Sequence, residues 1–166
     1  MKWNSEEKYD LITMGVTLHY LPGEQTMSKV NETLNEDGIF AVFGYFPKTM
    51  YDREGKEREE YRAAFNRMMD NKIIPYFAFK YDELTNYYQV PKVYPFHKYF
   101  RYQIEVREII TKLSKEDFFG YFKSFVAYNL YVQSHDDDPL SEIEALIKGE
   151  DACLVEDHFC ILCEKL

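Results

Sequence analysis

The sequence predicts an α/β fold built on an open parallel sheet. One observation is an apolar run at 8–15, followed by the turn dipeptide Pro22-Gly23. Another is a helical repeat over 24–34 that leads into a second apolar run at 38–45. This second run is apolar throughout, as expected for a parallel strand covered on both faces. Strand, helix and strand in this order predict a parallel pair.

The helix is predicted from one apolar face. Met27, Val30 and Leu34 recur at helical spacing, which gives the helix a side to lay on the sheet. Asp37 and Gly38 are expected to end it.

The two apolar runs are expected to be buried strands. The run at 8–15 is mostly apolar after Asp10. Pro47 is expected to end the strand at 38–45, because proline has no N–H to donate to a neighbouring strand.

A surface helix is predicted over 52–70. Tyr61, Ala64, Phe65 and Met68 fall on one face, and acidic and basic side chains interleave over the rest. Such interleaving is typical of a solvated helix face and not of a basic patch.

The remaining elements follow from local signals. Residues 71–97 combine prolines with aromatic residues and predict short helices and extended loops, while 98–107 alternates as a strand does. Ser114 and Asp117 have capping-box spacing and predict a helix that runs to about residue 132. A further helix near 140–148, closed by Gly149, and a last strand at 157–165 complete the chain.

Composition limits the function classes. The 166 residues are 46% apolar, which fits a single domain over residues 1–166. The net charge of -9 argues against a phosphate-backbone binder. No apolar stretch approaches the roughly 20 residues of a membrane span, and no signal peptide is recognisable at the start of the chain. We expect a cytoplasmic protein that binds neither nucleic acid nor membrane.

Two clusters could suggest a metal site. Cys160 and Cys163 have C-x-x-C spacing, but strand positions three apart point to opposite faces, so buried thiols are expected. His135 precedes three aspartates at 136–138, and an aspartate before proline is common where a helix begins. No metal is predicted.

Aromatic residues make up 17% of the chain. Their densest cluster has two open interpretations, the lining of a pocket or a core and cover built from rings. Its members are Tyr87, Tyr88, Tyr94, Phe96, Tyr99 and Phe100.

Four polar or aromatic residues follow the first two strands. They are His19, Tyr20, Tyr45 and Phe46. In open parallel sheets, ligands bind in the crevice outside the carboxyl ends of the strands, so these residues stand where a ligand would bind.

Three motifs carry a family resemblance. They are Asp-Leu-Ile at 10–12, Leu-His-Tyr at 18–20 and Leu-Asn-Glu-Asp-Gly at 34–38. In this order they resemble the class I S-adenosylmethionine-dependent methyltransferases, in particular the trans-aconitate methyltransferase-like branch. The run at 118–129 looks like the late helix of that family, with Phe125 and Val126 where Trp and Ser are common.

The resemblance implies the C-terminal part of a Rossmann-like methyltransferase sheet, with the strands in the order 8–15, 38–45, 157–165, 98–107. It also implies that 71–97 is the variable cover over the methyl acceptor. The glycine-rich cofactor turn has no counterpart in this sequence, so we expect the chain alone to bind S-adenosylmethionine poorly or not at all.

Site roles are likewise implied by the resemblance. We expect no catalytic acid or base, because a carboxylate acceptor is already ionised at neutral pH. His19 has an alternative role as a turn histidine bonded to backbone. Cofactor contacts are expected at Thr17, His19 and Tyr20, acceptor contacts at Tyr45, Phe46, Phe125 and Tyr128, with Lys98 or Arg101 as further acceptor candidates.

The resemblance leaves two functions open. The chain is either the acceptor-binding part of a small-molecule methyltransferase or a catalytically inactive interaction subunit derived from one. In both cases the strand at 8–15 would present an unpaired apolar edge. We expect a second copy, a partner chain or a further stretch of the same protein to cover it.

Overall fold

A computed structural model describes residues 7–78, 87, 90–148 and 150–166. The strands are β1 (Tyr9–Gly15), β2 (Leu34–Tyr51), β3 (Phe100–Leu113) and β4 (Ala152–Lys165). The α-helices are α1 (Gly23–Thr33), α2 (Glu59–Met68), α3 (Val90–Val93), α4 (Lys115–Lys123), α5 (Val126–Ser134) and α6 (Ser141–Ile147). Short 3-10 turns lie at Leu18–Tyr20, Ile74–Tyr76 and Phe96–Lys98, and a π-helical turn at Met69–Ile73.

The strands form one four-stranded sheet in the order β1-β2-β4-β3, with β1 parallel to β2. The α/β class and the predicted strand order are therefore confirmed. β3 continues past the predicted end at 107, and β4 begins before the predicted start at 157.

The described residues fall into two compact units. The first lies within Met1–Phe46, Asp82–Arg107 and His158–Leu166, and the second within Pro47–Tyr81 and Glu108–Asp157. That residues 1–166 form a single domain stays a prediction.

β1 is not the buried strand that was expected. It is the first strand in the sheet order, and Leu11 is 60% exposed while Met14 is 7% exposed. A strand at the end of a sheet has a neighbour on one side only, so most of its residues stay accessible to solvent. β2 is also less covered than predicted, since Phe43 and Tyr45 are exposed.

The end of α1 differs from the prediction. The helix stops at Thr33, whose hydroxyl donates to the Lys29 carbonyl at 2.8 Å, and Leu34 is already extended. Gly38 lies in β2 within an irregular stretch of the β1–β2 pairing, because Tyr9 pairs with Leu34 but the next register pair is Leu11 with Ile39. A Cβ on Gly38 would come within 3.0 Å of the Tyr9 carbonyl oxygen, so close backbone approach requires glycine there.

Pro47 does not end β2, which runs on to Tyr51. β1 stops at Gly15, opposite Phe43, so the part of β2 beyond Phe43 has no β1 partner. Proline is tolerated where its missing N–H has no strand to donate to.

The first unit is held by aromatic and aliphatic side chains between α1 and the sheet. Met27 and Val30 of α1 are fully buried, as predicted for its apolar face. Phe40 of β2 packs against Phe96 and Phe100, with ring centroids 6.0 and 5.7 Å away. These two members of the aromatic cluster belong to the core.

In the second unit, α2 begins later than predicted because residues 52–58 form a turn. The Asp52 carboxylate accepts the backbone N–H groups of Glu54 and Lys56, each at 2.9 Å, and the Arg58 guanidinium at 2.8 Å. Gly55 supplies the positive φ of 74°. Side chains on the predicted apolar face of α2, including Phe65, are buried against the other helices of this unit.

The long helix predicted from Ser114 to about 132 is two helices. The Ser114 cap is confirmed, since its hydroxyl accepts the Asp117 N–H at 3.1 Å. Phe125 is extended, which separates α4 from α5. The Asn129 side chain donates to the carbonyls of Lys123 and Phe125 at 3.1 and 2.9 Å and so satisfies acceptors that the break releases.

α6 ends at Ile147, where Lys148 adopts the left-handed conformation with φ 51°. The predicted stop at Gly149 lies outside the described residues, as do Tyr88 and residues 79–86 of the 71–97 segment. The Cys153 and Cys163 thiols are buried in β4, whereas Cys160 is only partly buried.

Candidate functional site

A small cleft lies in the first unit beyond the carboxyl end of β1 and beside residues 42–46 of β2. The turn after β1, residues 16–19, forms one side, and residues of β2 form the other. Ligands were expected beyond the carboxyl ends of the strands, and the cleft meets this expectation on the side of β1 only, because β2 continues to Tyr51. Thr17, His19 and Phe46 are the predicted site residues that the cleft brings together.

Val16 opens this turn in a strained conformation. Its φ is 48°, in the left-handed region that β-branched residues very rarely adopt. Its N–H donates to the Phe43 carbonyl at 2.9 Å, which continues the contact of β1 with β2 by one residue. Strain of this kind costs about 1–3 kcal/mol, persists only where the surroundings impose it and is concentrated at functional sites.

The surroundings that impose this conformation include a long-range hydrogen bond. The Tyr94 hydroxyl donates to the Leu18 carbonyl at 3.0 Å, and both residues are buried. The same carbonyl accepts the Leu21 N–H at 3.0 Å, which closes the 3-10 turn. The turn that carries His19 is therefore held to the body of the first unit at Leu18.

His19 is half-buried, and its ring lies 4.0 Å from the ring of Tyr20 between centroids. Burial lowers the pKa of the His19 imidazole from its ordinary value. The ring is therefore mostly neutral at pH 7, with one nitrogen able to donate a hydrogen bond and the other to accept one. Tyr20 is 72% exposed and is not among the residues that line the cleft.

The apolar wall of the cleft comes from β2 and β4. Phe46 stacks on Phe159 at 6.0 Å with 7° between the ring planes, and Tyr87 lies against Phe159 at 5.9 Å. Gly44 makes room for this wall, since a Cβ there would lie 2.9 Å from the Phe159 ring. Sequence reasoning missed Phe159. The available signal was its position in the predicted strand at 157–165.

The other predicted acceptor residues lie elsewhere in the chain. Tyr45 points away from Phe46, as successive strand residues do, and its ring lies 5.4 Å from that of His158. Phe125 and Tyr128 belong to the second unit. Phe125 packs on Tyr121 at 5.1 Å, and burial, with Asp138 nearby, raises the pKa of Tyr128 to about 12. Acceptor contacts at these three residues stay predictions.

The further acceptor candidates are already paired on the protein surface. Lys98 donates to Glu24 at 2.8 Å, and Arg101 lies 3.7 Å from Glu164. Both pairs are exposed, so each cation remains accessible. Acceptor contacts at Lys98 and Arg101 stay predictions.

Within the described residues, no three His, Cys, Asp or Glu side chains converge on a point that could hold a metal ion. Two of the three aspartates that follow His135 have structural partners. Asp137 pairs with Lys72 and accepts the Tyr131 hydroxyl, and Asp138 accepts the Leu140 N–H. None of the helices in the described part of the chain is long and apolar enough to cross a membrane.

The sheet order and the parallel β1–β2 pair define an α/β fold. A solved structure shares this fold. A proposed type II methyltransferase from Anaeromyxobacter dehalogenans superposes with a TM-score of 0.65 at 15% identity, over 95% of this chain and 65% of that one. The chain thus spans just under two thirds of the length of this relative.

Two further solved structures match less well. A proposed methyltransferase from Bacillus halodurans C-125 gives a TM-score of 0.42 at 11% identity, over 98% of this chain and 69% of that one. The YcgJ protein from Bacillus subtilis gives 0.42 at 10% identity, over 96% and 65%. Scores this low do not establish a common fold. No protein-family model matches the chain. No curated protein matches its sequence.

The cleft is too small for S-adenosylmethionine, the cofactor that the resemblance in the sequence implies. Its cavity volume is about 20 Å³, room for about one water molecule, whereas drug-sized ligands occupy pockets of about 300–1,000 Å³. None of the glycines in the described part of the chain forms a glycine-rich turn beside the cleft. The described residues therefore do not form a complete site for this cofactor.

Proposed function

We propose that this chain is the acceptor-binding part of an S-adenosylmethionine-dependent methyltransferase that acts on a small molecule, with a carboxylate as the favoured acceptor. The methyltransferase-type fold supports the reaction class. The observation that carries the proposal is the strained turn at Val16, which sets Thr17 and His19 against the aromatic wall of the cleft.

The residue chemistry of the cleft suits a reaction that depends on alignment. Holding an acceptor oxygen in line with a reactive carbon supplies most of the acceleration in such a transfer, and a carboxylate needs no base to become nucleophilic. A neutral His19 can hydrogen-bond an acceptor without competing for a proton. The stacked pair of Phe46 and Phe159 offers a flat apolar surface for the body of a small molecule.

We also propose that the cofactor is held mainly by residues that cover the outer edge of β1. That edge belongs to the outermost strand, and Leu11 and Thr13 on it are exposed. An outermost strand with apolar side chains is a ready template for another strand. A partner chain, a second copy or a further stretch of the same protein would supply the covering strand. Thr17, His19 and Tyr20 would then contact the cofactor from this chain.

The alternative is a catalytically inactive interaction subunit. The small volume of the cleft and the exposed edge of β1 are the observations that favour it. For both the acceptor-binding part and the interaction subunit, we propose a cytoplasmic location. The three cysteines are free thiols, which suits a reducing compartment.

Calorimetric titration with S-adenosylmethionine and S-adenosylhomocysteine tests the proposal. The chain alone should bind both weakly, and the chain joined to any coding sequence found upstream in its gene, or to its partner chain, should bind in the micromolar range. In that assembly His19→Ala should weaken binding about tenfold through loss of a hydrogen bond. The exposed His97→Ala variant is the matched control and should leave binding unchanged.

The titration separates the two functions. An assembly that binds neither ligand would favour the interaction subunit. Micromolar binding by this chain alone would rule out both the interaction subunit and the need for a covering strand. Equal losses in His19→Ala and His97→Ala would remove His19 from the site.

A further inference from the structure

We propose that two copies of this chain associate through the outer edge of β3, as an antiparallel strand pair about a twofold axis. β3 is the last strand in the sheet order, and β4 is its neighbour on the inner side. In the part of the chain that the structure describes, no further strand pairs with the backbone N–H and C=O groups on the outer side of β3. Such an edge is a template for a further strand.

The side chains along this edge have a self-complementary charge pattern. Ile104 and Val106 are half-buried, whereas Glu105 and Arg107 are exposed on the opposite face. Glu105 and Arg107 are two residues apart, so they share a face of the strand. Neither forms an ion pair or hydrogen bond with another described residue.

A twofold axis that passes through Val106 pairs the acidic residue of one copy with the basic residue of the other. Because residue pairs across an antiparallel twofold are symmetric about the axis, Glu105 of each copy then faces Arg107 of the other. Two ion pairs form from one contact. Val106 faces its own counterpart and contributes an apolar pair at the centre.

Neighbouring registers bring like charges together. An axis at residue 105, 107 or 108 sets a charged residue against its own copy. An axis at residue 104 sets Arg101 against Arg107. Like charges directly opposite each other destabilise a strand pair, so the register centred on Val106 is the favoured one of these five.

The same pattern identifies the partner as a second copy. An isologous interface needs a surface that complements itself, and an acidic and a basic residue flanking an apolar one satisfy that condition. The edge of β1 lacks this pattern, because its only charged residue, Asp10, has no basic residue on the same strand. The two edges of the sheet are therefore expected to have different partners.

A charge-swap experiment tests the interface. Sedimentation velocity of the full chain should show a dimer. Glu105→Arg and Arg107→Glu should each raise the dissociation constant about tenfold or more, since each replaces two attractions with two repulsions. The double variant E105R/R107E restores both pairs with the charges exchanged and should dimerise as the natural chain does.

Cysteine cross-linking tests the register independently of charge. Under mild oxidation Val106→Cys should form a disulfide between copies, because its Cβ atoms meet at the axis. The matched control Ile104→Cys should not, since its copies lie about 13 Å apart along the strands. Peptide mapping of the disulfide distinguishes it from any formed by Cys160, which is partly buried.

A monomeric natural chain, a double swap as weak as either single variant, or cross-linking of I104C in place of V106C would overturn the proposal. Leu11→Lys, on the edge of β1, should leave the dimer intact. Loss of the dimer in this variant would assign the interface to β1. Circular dichroism confirms that each variant is folded, as expected for substitutions at exposed or half-buried positions.

Discussion

Val16 and Lys148 adopt nearly the same backbone conformation in two different settings. Their φ angles are 48° and 51°, and no other non-glycine residue of the described chain has a positive φ. Lys148 ends α6 in the second unit, where its N–H donates to the Glu144 carbonyl at 3.3 Å. Val16 joins β1 to a 3-10 turn in the first unit, and it lines a cleft.

The left-handed conformation is ordinary at Lys148 and unusual at Val16. A left-handed residue is a common helix terminator, and the helix end itself accounts for it at Lys148. No helix ends at Val16, and a β-branched side chain makes the conformation more costly. The cost at Val16 must be met by contacts of the turn with the rest of the first unit, and a residue so constrained points to function.

The largest expected effect concerns the hydrogen bond that holds the turn near Val16. Tyr94→Phe removes the hydroxyl that donates to the Leu18 carbonyl at 3.0 Å in a buried setting. We expect a loss of about 1–2 kcal/mol in the free energy of unfolding. Urea denaturation measures it, with Tyr99→Phe as control, because the Tyr99 hydroxyl bonds the exposed Glu24. Equal losses in the two variants would mean that the turn is not held from Tyr94.

The second prediction concerns the strain itself. Val16→Gly and Val16→Ala both shorten the side chain, but only glycine adopts a φ of 48° without a Cβ clash. We expect V16G to be about 1 kcal/mol more stable than V16A. Chemical denaturation of the pair gives the difference directly. A more stable V16A would show that the turn does not hold a left-handed conformation in solution.

The third prediction uses Lys148, where a small gain is expected. Lys148→Gly removes the cost of the Cβ at a φ of 51° but adds freedom to the unfolded chain. The expected gain is about 0.5 kcal/mol, and Lys148→Ala should show none. Ligand binding in the assembled protein should be unaffected by K148G and weakened by V16G. The comparison breaks down if both glycine variants affect binding alike.

The last prediction is a pH dependence at His19. Burial lowers the pKa of this histidine below 6.5, so the folded state favours its neutral form. Its contribution to stability is complete above pH 6.5 and is lost as the pH falls toward the lowered pKa, because the unfolded chain binds the proton more readily. NMR titration of the ring protons reports the pKa. A value at or above 6.5 would contradict the prediction, and His19→Asn should flatten the acid side of the stability curve.

Much of the sheet could be predicted because its strands have a simple periodicity. β1, α1 and the first half of β2 carry apolar runs or helical repeats that need no tertiary information. The predictions of element boundaries were wrong where a neighbouring strand determines how far an element extends. Pro47 is compatible with β2 only because β1 stops at Gly15, and no local signal contains that fact.

The candidate site was predicted only in part for the same reason. Thr17, His19 and Phe46 line the cleft, and their nearness to the predicted strand ends or to the family motif is what singled them out, while their roles stay predictions. Phe159 and Tyr94 come from distant stretches of the chain, and their contacts depend on the folded sheet. The conformation of Val16 contradicts local preference altogether, so only tertiary structure could reveal it.

The irregular stretch at Gly38 has a consequence for folding fidelity. Strand pairing by period alone permits slippage, and a shift of one residue would turn every side chain of β1 to the other face. A Cβ at position 38 would lie 3.0 Å from the Tyr9 carbonyl oxygen in the observed pairing, so glycine is what permits this alignment of β1 on β2. A larger residue at this position would disfavour the native register relative to its shifted alternatives.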